Sequence, residues 1–263
     1  MSAPLPARFT ALGLDWIVPE WPAASSVRAF STTRNGEAGA AFDPSRLSPD
    51  GAAARTKLKQ WLPDDPIWLE QVHGNAVCDL DRWHAGKDSA PPRADAAVGR
   101  RADRVCAVLT ADCMPVLFTD RAGSVVAAAH AGWRGLAAGV LEATLAALRR
   151  EPAAVLVWLG PAIGARVFEV GADVLDAHRA TDPGAAECFA PLRPGKWLAD
   201  LYALARRRLW RAGVTDIFGG GRCTFTEADT FHSYRRDGPM LAGRMATVIW
   251  REEAMGYDGA RAI

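Results

Sequence analysis

The 263-residue sequence has no CxxC pair, and its five cysteines, Cys78, Cys106, Cys113, Cys188 and Cys223, are odd in number and widely spaced. That argues against a disulfide framework and for free thiols in a reducing compartment. Net charge is also nearly absent: 31 Lys and Arg face 30 Asp and Glu, a formal +1. No electrostatic case exists for nucleic acid or an acidic membrane as partner. Long apolar runs are missing too. The longest uncharged stretch, 152–165, is too short to span a bilayer and contains Gly160, Pro161 and Gly164. The start, Met1-Ser2-Ala3-Pro4-Leu5-Pro6, has no basic segment followed by an apolar one, so no signal peptide is read and the expected location is the cytoplasm. No repeat of solenoid period occurs. Histidine is scarce, with five in all.

What remains is an ordinary globular composition, 49% hydrophobic and 23% charged. The length suits one large domain or two small ones. Residues 1–25 are rich in Pro, Ala and Trp and read as an irregular lead segment. Strands are expected over 27–32, 67–72, 105–109, 115–118, 124–129, 155–159, 167–170, 215–218 and 246–250. Helices are expected over 48–62, 132–150, 172–179 and 198–212, the last closed by Gly213. Asn35-Gly36 marks a turn, and 120–123 connects two strands. Strands and helices interleave, which argues an α/β or mixed α+β fold.

Three potential metal ligands follow expected strands: His73 after 67–72, Cys113 after 105–109 and His130 after 124–129. One thiolate and two imidazoles suit Zn²⁺, and three protein ligands leave a fourth tetrahedral position open, the catalytic pattern. Asp112 is placed to orient a ligand or carry a proton. A lone His or Cys is usually structural, however, and no HxxxH spacing supports the set. Cys113 and His130 also read as a nucleophile–base pair of a thiol hydrolase. Spacing does not separate the two.

His130-Ala131-Gly132-Trp133-Arg134-Gly135 reads as strand, turn and helix start. Free N–H groups there, with the Arg134 guanidinium, make an anion site; a tight turn with a solvated arginine is the plainer reading. Trp133 is placed to line a cleft. Arg34, Arg235, Arg236 and Arg244 occupy similar turn settings, each more simply a surface residue. Arg206-Arg207-Arg208 reads as a solvated helix face. His84 and His178 read as surface residues, and Cys78, Cys106 and Cys188 as packing residues; Cys223 is left open.

Together these residues resemble a known family. Gln71-Val72-His73-Gly74, Ala94-Asp95-Ala96, the 109–116 stretch Leu-Thr-Ala-Asp-Cys-Met-Pro-Val, His130-Ala131-Gly132-Trp133-Arg134-Gly135, the 159–164 stretch Leu-Gly-Pro-Ala-Ile-Gly, Asp200-Leu201 and Ser233-Tyr234-Arg235-Arg236-Asp237 occur in the order of the YfiH/laccase-domain family. These are zinc-dependent purine nucleoside phosphorylases formerly called polyphenol oxidase laccases. The resemblance covers residues 28–250. It implies a single domain over 1–263, with layered mixed sheets flanked by helices. It implies zinc on His73, Cys113 and His130. It also implies phosphorolysis of adenosine, inosine, guanosine and methylthioadenosine, with an adenosine deaminase activity. Asp112, Arg134 and Glu169 are then candidates for catalysis, and Arg34, Gln71, Trp133 and Arg235 for holding nucleoside and phosphate. The chain departs from the family pattern after Arg34, reading Asn35-Gly36-Glu37-Ala38-Gly39 and then Phe42-Asp43-Pro44, and at His232, where an aromatic residue is expected.

Three rivals stand beside this reading. A multicopper oxidase needs about ten histidines, and five do not suffice. A hydrolase that edits peptidoglycan precursors would use the same Cys/His/His set against an amide. A non-enzymatic interaction module would keep the metal without turnover.

Overall fold

The structure is a computed structural model and describes residues 4–84, 90–239 and 243–253. In chain order it forms α1 (Leu5–Ala11), β1 (Val27–Ser31), α2 (Gly51–Lys59), β2 (Val77–Asp79), β3 (Ala96–Gly99), β4 (Cys106–Thr110), β5 (Met114–Asp120) and β6 (Val126–Ala131). Then come α3 (Trp133–Ala138), α4 (Val140–Leu148), β7 (Val155–Leu159), β8 (Glu169–Gly171), α5 (Ala172–Arg179), β9 (Phe189–Arg193) and β10 (Lys196–Ala199). The rest are α6 (Leu201–Arg211), β11 (Asp216–Gly219), α7 (Tyr234–Asp237) and β12 (Met245–Arg251). Among the described residues, no helix is long and apolar enough to cross a membrane.

The fold is mixed α/β. A six-stranded sheet runs β11-β7-β5-β6-β3-β2, parallel at both ends and antiparallel between. A three-stranded antiparallel sheet runs β1-β12-β4, and a small one β8-β10-β9. Side chains of the large sheet alternate between two cores, as a period of two requires. Val116, Phe118, Ala127 and Ala129 face the helices α3 to α6. Leu117, Val126 and Ala128 face Val108 and Ile249 of the three-stranded sheet. That sheet's other face packs under α1 and α2 through Phe30, Val248, Phe9 and Leu58. The order of layers is helices, six strands, three strands, helices.

Several expectations need correction. Residues 1–25 hold a helix, α1, with Pro at its first turn, where a missing N–H costs nothing. Its Phe9 is 1% exposed and meets Trp16, Phe30 and Trp61 edge-on. Burying such a ring contributes about 1.5–3 kcal/mol, more than a short helix needs. The 132–150 helix is two helices, broken at Gly139, whose φ of 88° ends α3 in the left-handed region. The 67–72 segment is no strand; it makes one isolated bridge, Glu70 to Arg93. Instead the Gln71 carboxamide clasps edge strand β4. It accepts from Leu109 N and donates to Leu109 O, both at 2.8 Å. This satisfies an edge that backbone pairing leaves open. His178 is fully buried, not a surface residue. The run Arg206-Arg207-Arg208 in α6 is paired, not solvated: Arg206 with Ile217 O, Arg207 with Asp182 and Arg208 with Glu142.

Candidate metal centre

Cys113 ends the short turn between β4 and β5, and His130 lies inside β6 opposite Pro115. The antiparallel register therefore brings Cys113 against the end of β6. Gly132 follows at the close approach: a Cβ there would lie 2.6 Å from Cys113 Sγ and 3.2 Å from His73 Cδ2. Only glycine leaves room for the three ligands to converge. His73 comes from the loop after Gln71 and carries a φ of 62°; Asp112 carries 81°. Left-handed backbone at two non-glycine residues is local strain held by the surroundings.

At His73 that strain is held by Asp95, which enters β3 and is fully buried. Its carboxylate accepts the N–H groups of Val72 (3.2 Å), His73 (2.8 Å) and Gly74 (2.7 Å). It also meets His130 Nδ1 at 2.9 Å. One carboxylate thus fixes the His73 loop and turns His130 so that Nε2 faces the open side. Sequence reasoning assigned Asp95 no role. Its signal was a lone acid between alanines, at the head of an apolar run.

The ligand atoms of His73, Cys113 and His130 lie within 4.8 Å of one another, and Cys113 Sγ is 3.7 Å from His73 Nε2. Tetrahedral zinc with ordinary bond lengths sets sulfur and nitrogen roughly 3.6 Å apart. The donor set and its spacing fit the metal. Burial pushes the Cys113 thiol up, but the imidazoles of His130 and His73 outweigh it and bring it down to about 6. Burial disfavours a charged His130; Cys113 and Asp95 reverse that and raise it to about 9. At neutral pH Cys113 is therefore a thiolate beside a protonated His130, and a metal bound here would displace the His130 proton.

The three residues line a cavity of about 840 Å³. Asp112, Gln71, Trp133, Arg134 and Arg235 line it too; Arg34 and Glu169 do not. The Arg34 guanidinium donates to Ala228 O at 2.7 Å. The Glu169 carboxylate pairs with Arg193, and with Lys196 at 3.9 Å. Arg134 lies over the Trp133 ring at 4.4 Å, and Arg235 over Phe168 at 5.3 Å. Asp112 accepts from Thr224 Oγ1 and from Arg235 N, both at 2.6 Å, so it ties the ligand turn to the start of α7.

Residues 49–252 match the family described as multi-copper polyphenol oxidoreductase laccase. The chain belongs to that family. It is 49% identical over 244 residues to the purine nucleoside phosphorylase YfiH of Escherichia coli, covering 89% of this chain and 98% of that one. A purine nucleoside phosphorylase of Pseudomonas aeruginosa is 47% identical over 247 residues, covering 90% and 99%. The crystal structure of a Neisseria meningitidis protein superposes with a TM-score of 0.82 at 44% identity, over 90% of this chain and 99% of that one. YlmD from Geobacillus stearothermophilus gives 0.77 at 30% identity, over 87% and 93%. The family's description speaks of several coppers. Among the described residues only one group of three or more His, Cys, Asp and Glu side chains converges for a metal, and it holds two imidazoles. His84 is exposed, and His178 and His232 are buried outside the cavity lining. A blue-copper and trinuclear set has too few ligands here.

Proposed function

We infer that this family member is a zinc-dependent purine nucleoside phosphorylase, acting on adenosine, inosine, guanosine and methylthioadenosine, with a side activity as adenosine deaminase. The observation that carries this reading is the convergence of His73, Cys113 and His130 within a cavity that also holds aromatic rings and arginines. The names of its relatives support it.

Zinc, when bound, supplies a Lewis acid at the cavity wall. His73, Cys113 and His130 hold it, and Asp95 keeps the two imidazoles oriented. In phosphorolysis the C1′–N9 bond of the nucleoside breaks, a C1′–O bond to phosphate forms, and the purine leaves with a proton. Trp133 and Phe168 offer ring faces to the base. Arg134 and Arg235 draw phosphate to the ribose and offset its charge as it attacks. In deamination, water attacks C6 of the adenine base, the C6–N6 bond breaks and ammonia leaves, with a proton of the water passing to the departing nitrogen. Asp112 is the carboxylate beside the ligands for that proton, while Glu169 is tied to Arg193 away from the cavity. Five free cysteines support a reducing location, the cytoplasm.

The test is product analysis. Zinc-loaded protein with adenosine and phosphate should yield adenine and ribose 1-phosphate, and without phosphate some inosine. Cleavage of a muramyl peptide with no nucleoside turnover would replace this reading with the precursor-editing hydrolase.

A further inference from the structure

The cavity is more cationic than one phosphate requires. Five arginines line it, Arg46, Arg55, Arg134, Arg235 and Arg244, against two carboxylates, Glu70 and Asp112. Both Asp112 oxygens are engaged, and Glu70 stands 4.0 Å from Arg93. Arg134 and Arg235 belong to α3 and α7. Arg46 and Arg55 come from the opposite layer, on the loop before α2 and on α2 itself, whose Leu58 packs in the core that Trp68 also joins.

Arg55 is held in place. Its Nε donates to Pro44 O at 2.7 Å, and its guanidinium lies 4.4 Å over the Trp68 ring. Burial and the neighbouring charge of Arg46 both work against its protonated form, with Asp43 opposing them. Asp43 Oδ1, however, accepts the backbone N–H groups of Ser45 and Arg244. Neither Arg46 nor Arg55 forms an ion pair with any described residue. Two like charges are thus gathered at a cavity wall, one fixed on an aromatic face, and Asp43, the carboxylate that offsets Arg55, commits one oxygen to two backbone N–H groups. Such an arrangement costs the free protein and is relieved by a doubly charged ligand.

We propose that Arg46 and Arg55, set against Trp68, form a second anion subsite in this cavity, one that binds a phosphoryl dianion. Two sources carry that group: the inorganic phosphate co-substrate, or a phosphate ester on the ribose of the nucleoside, as in a purine nucleoside 5′-phosphate. The choice of sources rests on the phosphorylase reading; the charge arrangement does not.

The experiment is calorimetric titration of the zinc-loaded full chain with three probes: inorganic phosphate, adenosine and adenosine 5′-phosphate. Wild type is compared with Arg46→Ala and Arg46→Glu. Arg46 is exposed, so both variants should fold, and melting temperature and zinc content check that. Arg46→Ala should weaken inorganic phosphate about tenfold, or lower the preference for adenosine 5′-phosphate over adenosine about tenfold, and Arg46→Glu should do more. The first result names the co-substrate as the source and the second the ribose ester. If both phosphate probes bind Arg46→Glu as tightly as wild type, or wild type binds neither, the subsite does not exist. If adenosine fails to bind wild type while a phosphate probe binds in an Arg46-dependent way, the subsite stands and the nucleoside reading falls.

Discussion

Two buried aspartates, Asp95 and Asp182, show what separates a chemical site from a structural one. Both carboxyls are held below the usual carboxylate range. Burial alone would raise Asp95; its bonds to His130, Gly74 and His73 outweigh that. Asp182 is lowered first by Arg207, with Arg211 adding to it, against a smaller penalty from burial. Arg207 approaches at 2.5 and 2.9 Å and Arg211 at 2.7 Å. The difference lies in what the partners do next. Behind Asp95 stand two histidines that aim at a shared point in a cavity. Behind Asp182 stand guanidiniums that lead nowhere, and the pair ties α6 to the end of α5. A perturbed acid marks function only when its partner keeps a second reactive atom facing open space.

The comparison can be broken or sharpened by substitution. Cys113→Ser should have the largest effect. An alcohol ligates zinc poorly, and both activities should fall more than about a hundredfold, beyond the range typical of outer partners. Zinc content and turnover check it together. Asp95→Asn should follow, weakening zinc about 10–100-fold while the ligands remain, read by competition with a chelator. Arg134→Ala should keep its zinc yet lose phosphorolysis about 10–100-fold, with deamination hurt less. Unchanged activity would make Arg134 a solvated turn residue, and joint loss of zinc would make it a prop for the loop.

Asp182→Asn should leave activity intact and cost about 1–3 kcal/mol, less than a fully buried pair because Arg211 is half exposed. A carboxyl held low in the folded state adds stability that is complete above its unfolded pKa, about 3.9, and is lost as pH falls below it. The variant should flatten that acid limb in urea melts. His178 gives the smallest effect and a different window. Burial first, then Arg208, push it down to about 4, with the Trp133 backbone opposing. A histidine lowered on folding is charged only at a cost, so stability is full above about pH 6.5 and falls between there and about 4. His178→Met should remove that slope and leave the one due to Asp182.

Part of this was legible in the residue order. The β5–β6 pair around 120–123, the bounds of α5 and the strand β7 follow from local pattern and turn chemistry. From spacing alone, His73, Cys113 and His130 were legible only as three possible ligands after apolar runs; it was the family resemblance that implied them as one zinc set. Their convergence depends on antiparallel register and on Gly132, which no local window contains. β3 was not legible because Ala96-Ala97-Val98-Gly99 has little strand propensity; it is pairing with β6 on one side and β2 on the other that makes it a strand. Arg206, Arg207 and Arg208 read as solvated because their partners, Asp182, Glu142 and the β11 carbonyls, lie far away in sequence.

The central claim is that one zinc on His73, Cys113 and His130 supports nucleoside phosphorolysis. Its most direct test is a titration of metal-free protein with zinc, following phosphate-dependent release of adenine from adenosine. The account predicts that activity rises in proportion to zinc and levels off at about one ion per chain, as a three-ligand site requires. Full activity without metal, or a rise that only copper produces, would contradict it.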